Sequence, residues 1–152
     1  MQRRRIIMEL RNTGKLKGVK PCIVYLKRNM GKIYNEGQAD FVMSMNKTML
    51  HFQKLSLFLR RLQPKEDFSI DLRIMEAYAF TVRSFNNTLT LFDRNKRFIE
   101  IHYHKGIADT FTTEDNIDRI IKVLEEMGIK QINFEKDVMG NEEPDTEGEG
   151  TN

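Results

Sequence analysis

Between residues 21 and 103 the chain keeps alternating short β-type runs with polar turns only a few residues long. That rhythm leaves little room for anything but an antiparallel meander, because only antiparallel strands can be joined by such brief connections. The tightest instance is the pair of runs 41–45 and 48–52, separated by Asn46-Lys47 alone. Asn tolerates the left-handed backbone, so a β-hairpin is expected there, with Met49 and His51 on one face and Leu50 and Phe52 on the other. Upstream, Pro21-Cys22-Ile23-Val24-Tyr25-Leu26 reads as a strand opened by Pro, and Lys27 to Lys32 as a turn around Gly31. Cys22 is expected to pack inside that strand. Downstream, Phe68, Ile70 and Leu72 alternate with Ser69, Asp71 and Arg73, and further strands are expected over 77–85, 88–92 and 98–103. Asn86-Asn87 and the polar run 93–97 supply their turns.

One segment fits two periods. Leu55, Phe58, Leu59 and Leu62 make a helical stripe, whereas Leu55, Leu57 and Leu59 make a strand face. An amphipathic membrane or partner helix is one reading of 55–62, with Arg60 and Arg61 at its end; a piece of core running into a charged loop is the favoured one.

The last element is a helix. Thr112 and Thr113 can cap it, Glu114 and Asp115 suit its positive end, and Ile117, Ile120, Ile121, Leu124 and Met127 form its apolar stripe over 113–127. Gly128 is the expected stop, with Ile129, Ile132 and Phe134 extending the packing.

At 152 residues, 39% hydrophobic and 31% charged, the chain is sized for one domain. A single cysteine excludes a disulfide framework and fits a reducing compartment. No apolar run approaches the ~18–20 residues of a membrane span. Only Ile6, Ile7 and Met8 follow Arg3-Arg4-Arg5 before Glu9, which is no signal-peptide core, so a cytoplasmic protein is expected.

Charge is unevenly distributed. Residues 1–66 hold 15 basic against 4 acidic side chains, and residues 67–152 hold 10 against 18. Between Arg3 and Lys20 seven bases face one acid, and 135–152 carries seven acids and one base. These ends lack the apolar content to fold alone, so 1–20 is expected to be a flexible basic arm and 135–152 a disordered acidic tail. The domain proper is expected over 21–134.

The order of elements resembles a pleckstrin-homology-like or GRAM-like domain of the small bacterial kind. The residues carrying the resemblance are the hairpin Val42-Met43-Ser44-Met45-Asn46-Lys47-Thr48-Met49-Leu50-His51-Phe52, the strand Phe68-Ser69-Ile70-Asp71-Leu72-Arg73-Ile74, the hairpin over 88–103, and the helix after it. The resemblance covers about 21–128 and is a pattern of apolar positions. It implies an α+β fold in which an antiparallel meander closes into a small barrel or strongly bent sheet, with one C-terminal amphipathic helix across the open end. It also implies a ligand site near the first hairpin loop, where Lys27, Arg28 and Lys32 fall.

Catalytic signatures are absent: the chain has no Gly-x-Gly-x-x-Gly, no phosphate-binding loop and no nucleophile elbow. Glu100, His102 and His104 share a strand face, an arrangement that solvent-side alternation explains as well as a metal does. No cofactor and no metal is called for. The expected function is a non-catalytic binding or regulatory module of a bacterial cytoplasm, taking a protein partner or an anionic lipid surface. Its candidate contacts are Lys27, Arg28, Lys32, Arg3, Arg4 and Arg5. The alternative is a nucleic-acid-binding protein that uses the basic N-terminal half as phosphate contacts, with Tyr25 and Tyr34 to stack on bases.

Overall fold

The computed structural model describes residues 2–29, 34–82, 86–95, 97–104 and 110–133. In chain order these form α1 (Gln2–Arg11), β1 (Val19–Asn29), β2 (Tyr34–Asn46), β3 (Met49–Ser56), β4 (Arg61–Leu62), β5 (Phe68–Asp71), β6 (Met75–Val82), β7 (Asn86–Asp93), β8 (Phe98–His104), α2 (Thr110–Glu126) and β9 (Lys130–Gln131). The strands make one nine-stranded sheet in the order β4-β3-β2-β1-β8-β7-β6-β9, with β5 also on β3. Every pairing is antiparallel except that of β9 with β6. The fold is thus α+β with a largely antiparallel sheet. The ladder is open, with β4 and β5 at one end and β9 at the other; among the described residues no pairing joins β5 to β6.

Local chemistry sets the registers. Asn46 pairs with Met49, so the hairpin turn is Lys47-Thr48, one residue later than the sequence suggests, and Lys47 rather than Asn46 takes the positive φ of 55°. Segment 55–62 is no helix. β3 runs to Ser56, a turn covers 57–60, and β4 returns on β3 through Leu55↔Leu62 and Ser56↔Arg61. The 93–97 loop is fixed by the Asp93 carboxylate, which accepts from Asn95 N, Arg97 N and Arg97 Nε at 2.8, 3.0 and 2.7 Å. β1 starts two residues earlier than expected, and Pro21 sits in the irregularity between Val19 and Cys22, where a missing N–H costs no ladder bond.

Strand parity divides the apolar side chains between two faces. Cys22, Val24, Leu26, Phe41, Met43, Met45, Leu50 and Phe52 point into the main core, joined there by Leu89, Leu91, Ile99, Ile101 and Tyr103. α2 covers that face with Ile117, Ile120 and Leu124, all buried, and packs on β1 and β8. It begins at Thr110, so Glu114 and Asp115 lie beyond its first turn. Its end is the expected one: Gly128 has φ 78°, and the amides of Gly128 and Ile129 donate to the carbonyls of Glu125 and Leu124, the double bond of a Schellman cap. Asn116, fully buried, donates from Nδ2 to Lys20 O at 2.6 Å and Cys22 Sγ at 3.3 Å, tying α2 to the irregular start of β1. Cys22 is packed in its strand, as the sequence suggests.

The opposite face carries a second cluster: Ile23, Val42 and Leu55 from the sheet, and Ile6, Ile7 and Leu10 from α1. This overturns the expected flexible arm over 1–20. A helix of 10 residues is marginal on its own, but each of its three buried side chains contributes about 1.5–3 kcal/mol on leaving water. The sheet supplies the apolar ground they need. The acidic segment 135–152 lies outside the described residues.

Candidate functional site

The connection from α1 to β1 lies across β3. At the end of α1 the Thr13 hydroxyl and the amides of Thr13 and Gly14 close on the carbonyls of Leu10 and Arg11. Gln53 then grips the chain in both directions: its Oε1 accepts from Lys17 N at 2.8 Å and its Nε2 donates to Lys15 O at 2.9 Å. Gln53 is buried, and both polar ends of its amide are thereby satisfied. At Gly18 the backbone takes φ 71° and passes directly over Ser44.

Between this strap, the α1 end and β4 lies a cleft of about 400 Å³. Leu10, Leu62 and Pro64 give it apolar walls, and Lys15, Lys17 and Arg61 bring three cations to it. The carboxylate lining it is that of Asp67, which already accepts Lys54 N at 2.9 Å. α1 adds exposed Arg4, Arg5 and Arg11: Arg11 follows Leu10 directly, and Arg4 and Arg5 lie between one and two turns before it. A cleft of this size with apolar walls and few polar groups is the usual form of a ligand site, and the cations fix its preference for anions.

A second hollow, about 310 Å³, lies between the 72–74 turn and the 93–97 loop and is lined by Arg73, Arg94 and Arg97. Two of these are already engaged. Arg73 forks onto Asp71, with Nη2 at 2.7 Å and Nε at 3.0 Å from Oδ2, and Arg97 is bound to Asp93. The Arg73 hydrogen bonds hold the Asp71 pKa down to about 2 from 3.8, and the Arg73 pKa rises in return. This hollow is the weaker anion site.

Among the described residues, none of those singled out from sequence lines the cleft. Arg4 and Arg5 are exposed on α1, five to six residues before Leu10, and do not line the cleft; Arg3 belongs to α1, but its side chain is outside the described ones. Lys27 is half-buried on β1, opposite Glu100 of β8, and Arg28 lies opposite Ile99. Lys27 is not among the residues that line the cleft. Lys32 lies outside the described residues. The cleft residues left out of the sequence-based contact set are Lys15, Lys17, Gln53 and Arg61, the last two carried there by the β3–β4 hairpin.

Of the two stacking candidates, Tyr25 meets His102 edge-on at 6.3 Å, and the side chain of Tyr34 is outside the described ones. His102 itself is bound through Nε2 to Glu100 Oε1 at 2.9 Å and through Nδ1 to Thr88 Oγ1 at 3.1 Å. Among the described residues no group of three or more His, Cys, Asp or Glu is arranged to hold a metal ion, and no helix is long and apolar enough to cross a membrane.

No family model and no curated protein matches the chain. Among solved structures, the hSac2 domain of the human phosphoinositide phosphatase Sac2 aligns over 98% of this chain and 95% of that one, at 9% identity and a TM-score of 0.44. A likeness that slight carries no argument about this chain.

Proposed function

We propose that the protein is a non-catalytic binding module that holds an anionic partner at the cleft between α1, the 13–17 strap and β4. The observation that carries this reading is the convergence of Lys15, Lys17 and Arg61 on one apolar-walled cleft, with the carboxylate there engaged by a backbone amide. The titratable groups of the cleft are cations and one committed carboxylate, a set suited to holding negative charge and poorly suited to moving protons. The strand order, with β8 returning beside β1 and α2 following it, supports a docking module of the pleckstrin-homology-like or GRAM-like kind. The contact surface is then the α1–β4 side, in place of the first hairpin loop.

Inositol hexakisphosphate is a suitable probe, since it presents dense phosphate without lipid or base. Its titration should shift the amide resonances of 13–17 and Arg61. Lys15→Glu, Lys17→Glu and Arg61→Glu together should weaken binding roughly tenfold or more, at an unchanged melting temperature. Binding that ignores the triple substitution would overturn the reading.

A further inference from the structure

The turn that joins β3 to β4 presents its apolar residues to water. Phe58 is 94% exposed and Leu59 49%. The turn is braced from several sides. The Ser56 hydroxyl accepts Leu59 N at 3.1 Å, Gln63 N donates to Lys54 O at 2.8 Å, and Arg60 reaches Glu9 of α1 at 3.6 Å. Arg60 also holds φ 54°, a conformation that a non-glycine residue keeps only when its surroundings impose it. Beneath the tip, Leu57 and Leu62 pack on the α1 cluster. The structure thus holds up a bare Phe-Leu tip on a fixed support.

Its neighbourhood is cationic. Arg60 and Arg61 follow the tip directly, and Arg61 lines the cleft three residues from Phe58, so the two Cα atoms are at most about 11 Å apart. On the outer face of α1, Arg4, Met8 and Arg11 follow at helical spacing, all exposed, with Met8 57% exposed. An apolar tip with Arg60 and Arg61 directly beside it is the composition of an element that enters the headgroup region of a bilayer while its cations engage anionic lipids.

We infer that the anionic partner is a phospholipid bilayer, and that Phe58 and Leu59 insert into it while the cleft and the α1 face hold the headgroups. This rests on the cleft being an anion site. A nucleic acid would explain Phe58 as a stacking platform, but Leu59 and Met8 offer no ring to stack, whereas a bilayer takes all three.

The chain contains no tryptophan, so Phe58→Trp places a single indole at the tip of the full-length protein. Vesicles of phosphatidylcholine with one-third phosphatidylglycerol should shift its emission to the blue, and bromine on the acyl chains should quench it. Pure phosphatidylcholine should do neither. Phe58→Ala with Leu59→Ala should weaken vesicle binding roughly tenfold to hundredfold, from the lost apolar burial, and leave inositol hexakisphosphate binding and the melting temperature unchanged. An unshifted indole on vesicles that do bind the protein overturns insertion alone. So does polynucleotide binding without vesicle binding, or a dimer that the double alanine variant dissolves. If neither vesicles nor inositol hexakisphosphate bind, the cleft reading falls and the inference falls with it.

Discussion

β1 and β8 are hydrogen-bonded neighbours, yet they are written in different patterns. β8 alternates: Ile99, Ile101 and Tyr103 are buried, while Glu100 and His102 between them pair with each other at the outer surface. β1 does not alternate, because Cys22, Ile23 and Val24 are buried in succession. A strand that faces water on one side needs apolar residues at every second position only, and a continuous run means that both sides are covered. The first half of the sheet therefore has a second roof, α1, where β8 shows only a polar strip. Both faces gain from burial, but unequally. The inner cluster draws on both halves of the sheet and on α2, whereas the outer one joins three sheet residues to three from one short helix.

Cutting one side chain from each roof should expose that inequality. Leu124→Ala, at a fully buried position, should cost about 3–5 kcal/mol of global stability, since the cavity opens where the whole sheet converges. Ile6→Ala, at an equally buried position, should cost about 2–3 kcal/mol, because a terminal helix over a small cluster can shift to fill the gap. Urea denaturation of both variants measures this. A larger loss for Ile6→Ala would mean that the two faces form one cooperative core.

Gly18 tests how the outer roof is tied down. Its φ of 71° disfavours any side chain, and a Cβ there would stand 2.5 Å from Ser44 Oγ and 2.7 Å from Ser44 Cβ. Ser44 lies on the outer face, fully buried under the strap. Gly18→Ala should therefore cost about 1–3 kcal/mol and raise amide exchange in α1 while α2 stays protected. Adding Ser44→Gly should recover the steric part and leave the dihedral part. An equal rise of exchange in both helices would show that the strap serves the inner core as well.

Where one face of an element meets water, the sequence announces it. Ile117, Ile120 and Leu124 declare α2, Gly128 its end, and Ile99, Ile101 and Tyr103 the inner side of β8. α1 was harder to see, because Ile6, Ile7 and Leu10 stand among seven bases and resemble an arm until their partners across the sheet are known. The clue lay elsewhere, in the unbroken runs 22–26 and 41–43, which are too apolar for strands with a wet side. Of the basic residues singled out from sequence, Arg4 and Arg5 are exposed on α1. Lys27, Arg28 and Lys32 are singled out by a family pattern; Lys27 stands opposite Glu100 of β8 and is not part of the cleft lining. Gln53 and Arg61 were not legible, since nothing in a linear chain shows that a hairpin will bring them under residues 15–17. Segment 55–62 satisfied two periods at once, and pairing of Leu55 with Leu62 decided it.

The smallest expected effect separates the two faces by pH. Asp71 starts the turn that carries the chain from β5 to β6, accepting Arg73 N at 3.0 Å as well as the guanidinium. Leu72, next to it, is fully buried in the inner cluster and donates its amide to Thr48 O at 2.8 Å. With its pKa lowered from 3.8 to about 2, the folded carboxylate holds its proton more weakly than the unfolded one. Its contribution is therefore complete above pH ~4 and is lost as pH falls through about 2. Because the Arg73 side chain is 70% exposed, solvent screening should keep that contribution below ~1 kcal/mol. Asp71→Asn keeps an acceptor for the turn and removes the titration, so melting temperature against pH should be flatter for the variant between pH 4 and 2. The loss should appear first in the amides of 72–74, on the inner side, and spare α1, whose apolar contacts with the sheet contain no titrating group. A variant whose curve parallels that of the parent protein would take Asp71 out of the acid response, and α1 amides opening first would place the weak point on the outer face instead.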